Sequence, residues 1–257
     1  MPELTIIASS DSASRVSPDG SRFSFQLSPP LVIKSNNITV TCESSTIWWV
    51  IPNIITGQND TINVRGPDTT GALQDYIVVL PQGLYDLSQL GTAIQRSLEN
   101  QGAKVNPEPL LSLLADDATQ KVIIRLNYDT VRVVLGPQSP YGILGFTTGA
   151  ILTRPPTNNT APNPAKFNIV DSFLIHCDAV NSGIRINNRY SQVVSQVAIS
   201  VPPGSQIIDT PFRPPVLDAP NLHGRTDSMT FWLTDQLGRE VNTNGETFSA
   251  RIRIAWD

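Results

Sequence analysis

The chain has 257 residues, 40% of them hydrophobic and only 16% charged, with a formal net charge of -4. That length supports a sizeable core in one large domain or in one domain with an insertion, and the weakly acidic balance argues against a dedicated nucleic-acid binder, which needs a basic stripe. No apolar run approaches the ~20 residues of a membrane-crossing helix, and Met1-Pro2-Glu3-Leu4-Thr5 lacks the basic and apolar stretches of a secretory leader, so neither is expected.

In chain order, Leu4 to Ala8 reads as a short strand inside a polar segment, so residues 1–20 are expected to form a flexible arm. Phe23 to Leu27 alternates cleanly, as does Ile38 to Cys42, a run continued by Ile47-Trp48-Trp49-Val50-Ile51 up to Pro52. Successive strand side chains point to opposite faces, so one of Trp48 and Trp49 should face the core and the other a loop or a partner. Thr61 to Arg65 and Tyr76 to Leu80 are further strands.

Then the period changes. Leu87, Leu90, Ile94 and Leu98 recur at helical spacing, which predicts an amphipathic helix from Asp86 to the glycine stop at Gly102. Asp86 and Gln89 stand at capping-box spacing. Packing logic places this helix as a plug at one open end of a β-sandwich.

Lys104 to Leu114 is ambiguous, because Pro107 and Pro109 disfavour a helix start. Asp116-Asp117 reads as a turn, and Val122 to Leu126 with Val131 to Leu135 reads as a hairpin joined by Asn127 to Thr130. Gly136 to Ala165 looks dominated by loops. Strands follow at Phe173 to Val180, Gln192 to Val201, Met229 to Thr234 and Phe248 to Trp256. Between them Phe212-Arg213-Pro214-Pro215-Val216-Leu217 is an apolar, proline-stiffened segment suited to docking or to forming a lid. The 21 prolines exceed the roughly 13 of average usage, so loops are many and stiff. About ten strands, long loops and one helix make a two-sheet β-sandwich the leading class.

Reactive chemistry is thinly represented. There are two histidines: His176 alternates on a strand face and His223 lies in a loop, and each reads as a hydrogen-bonded residue. No HExxH, CxxC, GxSxG or phosphate-loop spacing occurs. Cys42 and Cys177 sit in strand-like runs and read as buried apolar residues, with a disulfide between them left open. Asn37, Asn59 and Asn158 head Asn-x-Ser/Thr triplets that are read as chance matches. Only four of the 18 basic residues are lysine, and such arginine dominance suits ordered pairing at interfaces. Trp48, Trp49, Phe212, Arg213 and Leu217 are the candidate subunit interface. No cofactor, metal site or catalytic residue is expected.

Several stretches in order resemble the penton (minor capsid) proteins of virophages and polinton-like viruses. They are Ser9 to Arg15 followed by Phe23 to Leu27, Trp48 to Asn53, and Gly83-Leu84-Tyr85-Asp86-Leu87 ahead of the helix. Asp117 to Val122 with the later Ile143-Leu144-Gly145-Phe146 corner adds to them, as do Phe231 to Gly238 and the closing Phe248 to Trp256. The resemblance implies a single jelly roll with an elaborated or inserted middle region, at about residues 66–165 of a domain spanning 21–257. It implies a structural, non-enzymatic protein whose homopentamers close icosahedral vertices, with the major capsid protein as partner. It also implies a place in the virion, after synthesis in the host cytoplasm or viral factory. The alternative is a carbohydrate-binding or receptor-binding β-sandwich of a spike or baseplate.

Overall fold

The apolar–polar alternation becomes seventeen strands, one α-helix and two 3-10 turns in the computed structural model, which describes residues 1–104, 107–168, 170–181, 184 and 191–257. The chain begins with β1 (Glu3–Ser9), β2 (Arg15–Val16), β3 (Arg22–Ile33) and β4 (Ile38–Trp48). It continues through β5 (Thr61–Pro67), β6 (Leu73–Val79), α1 (Leu87–Asn100), β7 (Leu111–Asp116), β8 (Lys121–Leu126), β9 (Arg132–Leu135), β10 (Ala150–Thr153) and β11 (Asn158–Thr160). It closes with β12 (Ser172–Cys177), β13 (Val193–Ala198), β14 (Gln206–Asp209), β15 (Val216–Asp218), β16 (Gly224–Asp235) and β17 (Phe248–Trp256). These elements form two units: Met1–Ile51 together with Val170–Asp257, and Pro52–Ile169.

The first unit is wound from the outside in. β1, the first strand, pairs with β17, the last; β3 pairs with β16; β4 pairs with β14 and β15; β12 pairs with β13. All of these pairs are antiparallel, and they fall alternately in two sheets. One sheet runs β1-β17-β4-β14 with β15 also on β4, and the other runs β13-β12-β16-β3-β2. First-with-last nesting laid alternately in two sheets is the jelly-roll winding. The sheets share a core, since Phe23 of β3 meets Phe248 of β17 edge-on with ring centroids 4.8 Å apart. Phe23 also stacks beside Phe231 of its own sheet at 5.6 Å. Each such ring, almost fully buried, stabilises the sandwich by about 1.5–3 kcal/mol.

The second unit is a separate small fold. Two antiparallel sheets, β10-β9-β5-β6 and β11-β8-β7, enclose one apolar cluster with α1. The helix starts because the Asp86 carboxylate accepts from Gln89 N at 2.7 Å while Gln89 Oε1 accepts from Asp86 N at 3.1 Å. That reciprocal cap satisfies donors the helix leaves orphaned. Leu90, Ile94 and Leu98 are each no more than 2% exposed and belong to this cluster. The Leu144-Gly145-Phe146 corner has its own requirement. Gly145 has φ +79°, and a Cβ there would meet the Asn163 carbonyl, so only glycine fits.

Four expectations change. The helix does not plug the jelly roll: its buried face completes the core of residues 52–169. The second unit begins at Pro52, earlier than the 66–165 expected of an elaborated middle region. Val122 to Leu126 and Val131 to Leu135 are strands but not a hairpin, since β8 pairs with β7 and β11 while β9 pairs with β5 and β10. The connection does turn tightly, with Val131 N donating to Tyr128 O at 3.1 Å, but the two strands diverge after it into different sheets; Arg154 donates to Asn127 O at 2.8 Å and bridges Asp129 at 3.0 Å there. Residues 1–20, read as a flexible arm, instead carry β1, in register with β17 from Glu3↔Ala255 to Ser9↔Ser249. Its mostly exposed side chains hide a backbone use, because an edge strand pairs through its N–H and C=O groups. The ambiguous Lys104 to Leu114 stretch ends in β7, with residues 105 and 106 outside the described residues.

Candidate interaction surface

β4 is the strand around which this surface is built. β17 runs along one side of it, and the other side carries β14 opposite Ser45–Trp48 and β15 opposite Thr39–Thr41. β14 and β15 are therefore two pieces of one interrupted edge strand. The interruption, residues 210–215, contains Pro211, Pro214 and Pro215, which lack the N–H a ladder needs. The segment leaves the sheet there and carries Phe212, 93% exposed, with the Arg213 guanidinium 5.7 Å from its ring. On the flanking strands Ile208 is 71% and Val216 64% exposed. Three large apolar side chains thus stand in water along one sheet edge.

The five residues selected from sequence separate accordingly. Phe212 and Arg213 lie on the exposed interruption. Trp48, half-buried, is opposite Gln206 on the outward-facing register that also carries Ile208. Trp49 is buried, and its backbone exchanges bonds with Ser205 O (3.0 Å) and Gly204 N (2.8 Å). Leu217 is half-buried and paired with Val40, which is fully buried, so it alternates away from Val216. Ile208 and Val216 are the members that sequence reasoning missed. β14 and β15 are four and three residues long, too short to display a period.

The same sheet's outer side carries ion pairs of Arg251 with Glu43 (3.1 Å) and of Arg253 with Glu43 (3.3 Å) and Glu3 (3.7 Å). Such exposed pairs contribute little to stability but fix the polarity of the face.

The histidines, both cysteines and Asp178 are buried or hydrogen-bonded within the fold. His176 is buried, shares a 2.9 Å hydrogen bond between Nε2 and Thr234 Oγ1, and stacks on Trp232 at 4.9 Å. The Arg22 guanidinium lies 4.8 Å from the Trp232 ring and pairs with Glu240 at 2.9 Å. Burial, with Arg22 nearby, pushes the His176 pKa down to about 4, so the imidazole is neutral at physiological pH. His223 Nδ1 bonds Ser35 O at 2.9 Å. Cys42 and Cys177 are free and buried, and burial pushes both thiols up, Cys42 to about 12, which keeps them protonated and unreactive. Asp116 forms the turn expected of it, accepting from Ala118 N and Thr119 Oγ1. Asp178 is raised by burial and accepts from Thr230 N at 3.0 Å. Among the described residues no group of three or more His, Cys, Asp or Glu is gathered as a metal site.

No family model matches the chain, and no curated protein does. Among solved structures, the chain is similar to the selenomethionine-labelled mavirus penton protein, with a TM-score of 0.48, 10% sequence identity and full coverage of both chains. A structure of the infectious bursal disease virus Gx strain aligns at a TM-score of 0.10 and 11% identity, over 98% of this chain and 70% of that one.

Proposed function

We propose that the chain is a structural capsid protein, a penton subunit that assembles into homopentamers at icosahedral vertices beside the major capsid protein and acts in the virion without catalysing a reaction. The observation that carries this reading is the apolar edge of the jelly roll. Ile208, Phe212 and Val216 project from a strand edge that prolines keep from open-ended pairing. An edge of this kind packed on a different face of the next copy is a heterologous contact, which closes into a ring when the subunits are wedge-shaped. A stable contact of this class removes more than about 1,000 Å² from water. The sequence resemblance supports the same role. Its most specific stretch, Gly83 to Leu87, is the capped start of α1, and its Leu-Gly-Phe corner is the one that only glycine can turn.

Electron microscopy and native mass measurement of the purified chain, alone and mixed with the major capsid protein, test the reading. Five-fold rings, or five-fold incorporation at vertices, are expected, and Phe212→Glu should reduce both while leaving the fold intact. A chain that stays monomeric at every concentration, never enters particles and binds a sugar would replace this reading with that of a carbohydrate-binding sandwich.

A further inference from the structure

The outer face of the β10-β9-β5-β6 sheet carries two adjacent rows of side chains of opposite character. In the first row, Arg132 of β9 stands directly opposite Arg65 of β5, which stands opposite Asp75 of β6. Two like charges in register on neighbouring strands repel and weaken the sheet. Among the described residues the only carboxylate paired with them is distant: Arg65 Nε lies 3.8 Å from Asp75 Oδ1, with the two side chains 54% and 79% exposed. Arg132 is exposed and makes no ion pair among the described residues. One positive charge on this row is therefore left without a counter-charge. In the second row, two residues along each strand, Ile151, Val134 and Ile77 fall in line, with Ile151 52% and Ile77 59% exposed. Asn63 sits between Val134 and Ile77 and offers an amide. The floor between the rows is a shallow recess of about 400 Å³.

We infer that this face binds an extended segment of another protein that presents a carboxylate two residues from an apolar side chain. The charge argument selects the carboxylate, since a second acidic group bridging Arg65 and Arg132 would relieve their repulsion through paired guanidinium–carboxylate bonds. The spacing argument selects the segment. The rows are two residues apart, about 6.7 Å along the strands, which is the distance between side chains i and i+2 on one side of an extended chain. An acidic residue bridging Arg132 and Arg65 would place its i+2 neighbour over Val134 and Asn63, with Ile151 one strand, about 4.8 Å, to one side. Arginine is also among the residues enriched at interface centres. Among the described residues the face carries no exposed aromatic platform of the kind that stacks on sugars, so a protein segment fits better than an acidic glycan. This inference is independent of the capsid reading.

The test is selection of a displayed random octapeptide library on the full-length chain, with the Arg65→Gln/Arg132→Gln variant as counter-target. The expected result is enrichment of Asp or Glu two positions from Leu, Ile or Val. A selected synthetic peptide should lose at least about fivefold in affinity for Arg132→Gln and bind more weakly as salt rises. The melting temperature of Arg132→Gln should be unchanged or higher, because the like-charge neighbour is gone. The inference is overturned if nothing enriches against the counter-target, if the enriched peptides lack an acidic residue or the i+2 apolar residue, or if Arg132→Gln binds with unchanged affinity.

Discussion

His176 shows how much of this protein's chemistry is spent on structure. Its imidazole is neutral in the fold, wedged between Thr234 and Trp232, with a pKa near 4 against an ordinary value of 6.5. Below pH 6.5 the unfolded chain takes up a proton that the folded chain refuses until about pH 4. Stability is therefore full above pH 6.5 and declines as pH falls through that window, by up to about 3 kcal/mol. Thermal melts between pH 7 and 4 should show this loss, and His176→Gln, which retains a hydrogen-bonding side chain, should flatten it. Equal pH slopes for the two proteins would remove His176 as the cause. The residue's role as a bonded strand histidine was legible from alternation alone, whereas its stacking partner was not. Trp232 and Thr234 lie on β16, and no local pattern says which strand will lie beside β12.

At the scale of elements, the helix was the most readable part of the chain, because its cap, its stripe and its glycine stop are all local signals. Leu90→Asp or Ile94→Asp would bury an uncompensated charge in the core of residues 52–169 and should cost several kcal/mol, on the order of the unpaired-charge penalty. An unchanged melting temperature in either variant would contradict the packing described. Partners were harder to read than elements. β8 and β9 each show strand character, yet the tight turn between them suggested a hairpin, whereas they pair in different sheets. β1 was legible as a short strand from Leu4 to Ala8 but not as a sheet partner, because its side chains are mostly exposed and its stabilising contribution lies in the backbone. Deleting residues 1–9 removes a seven-residue ladder and should destabilise the first unit by roughly 3 kcal/mol or more, at about 1 kcal/mol per net hydrogen bond. A truncated chain with the wild-type melting temperature would restore the reading of this segment as a free arm.

For the molecule as a whole, the sequence showed a β-sandwich with an elaborated middle, but not that the middle is a unit with its own core. Both units use the same alternating vocabulary, so no change of composition marks Pro52 or Ile169. What separates them is long-range pairing, which alternation does not encode. The nested winding also has a consequence for how the chain comes into being. During synthesis the first strand emerges from the ribosome long before its partner, because β1 is completed only when β17, ending at Trp256, has been made. Residues 52–169 form a contiguous unit and can collapse while the remainder is still being translated. Residues 1–51 meanwhile hold only the short β2–β3 pairing, with β1 and β4 unpaired and Phe, Ile and Trp exposed. Nascent chains should therefore depend on a holding chaperone while residues 170–257 are being made, and slow codons in that stretch would lengthen the period in which they can aggregate.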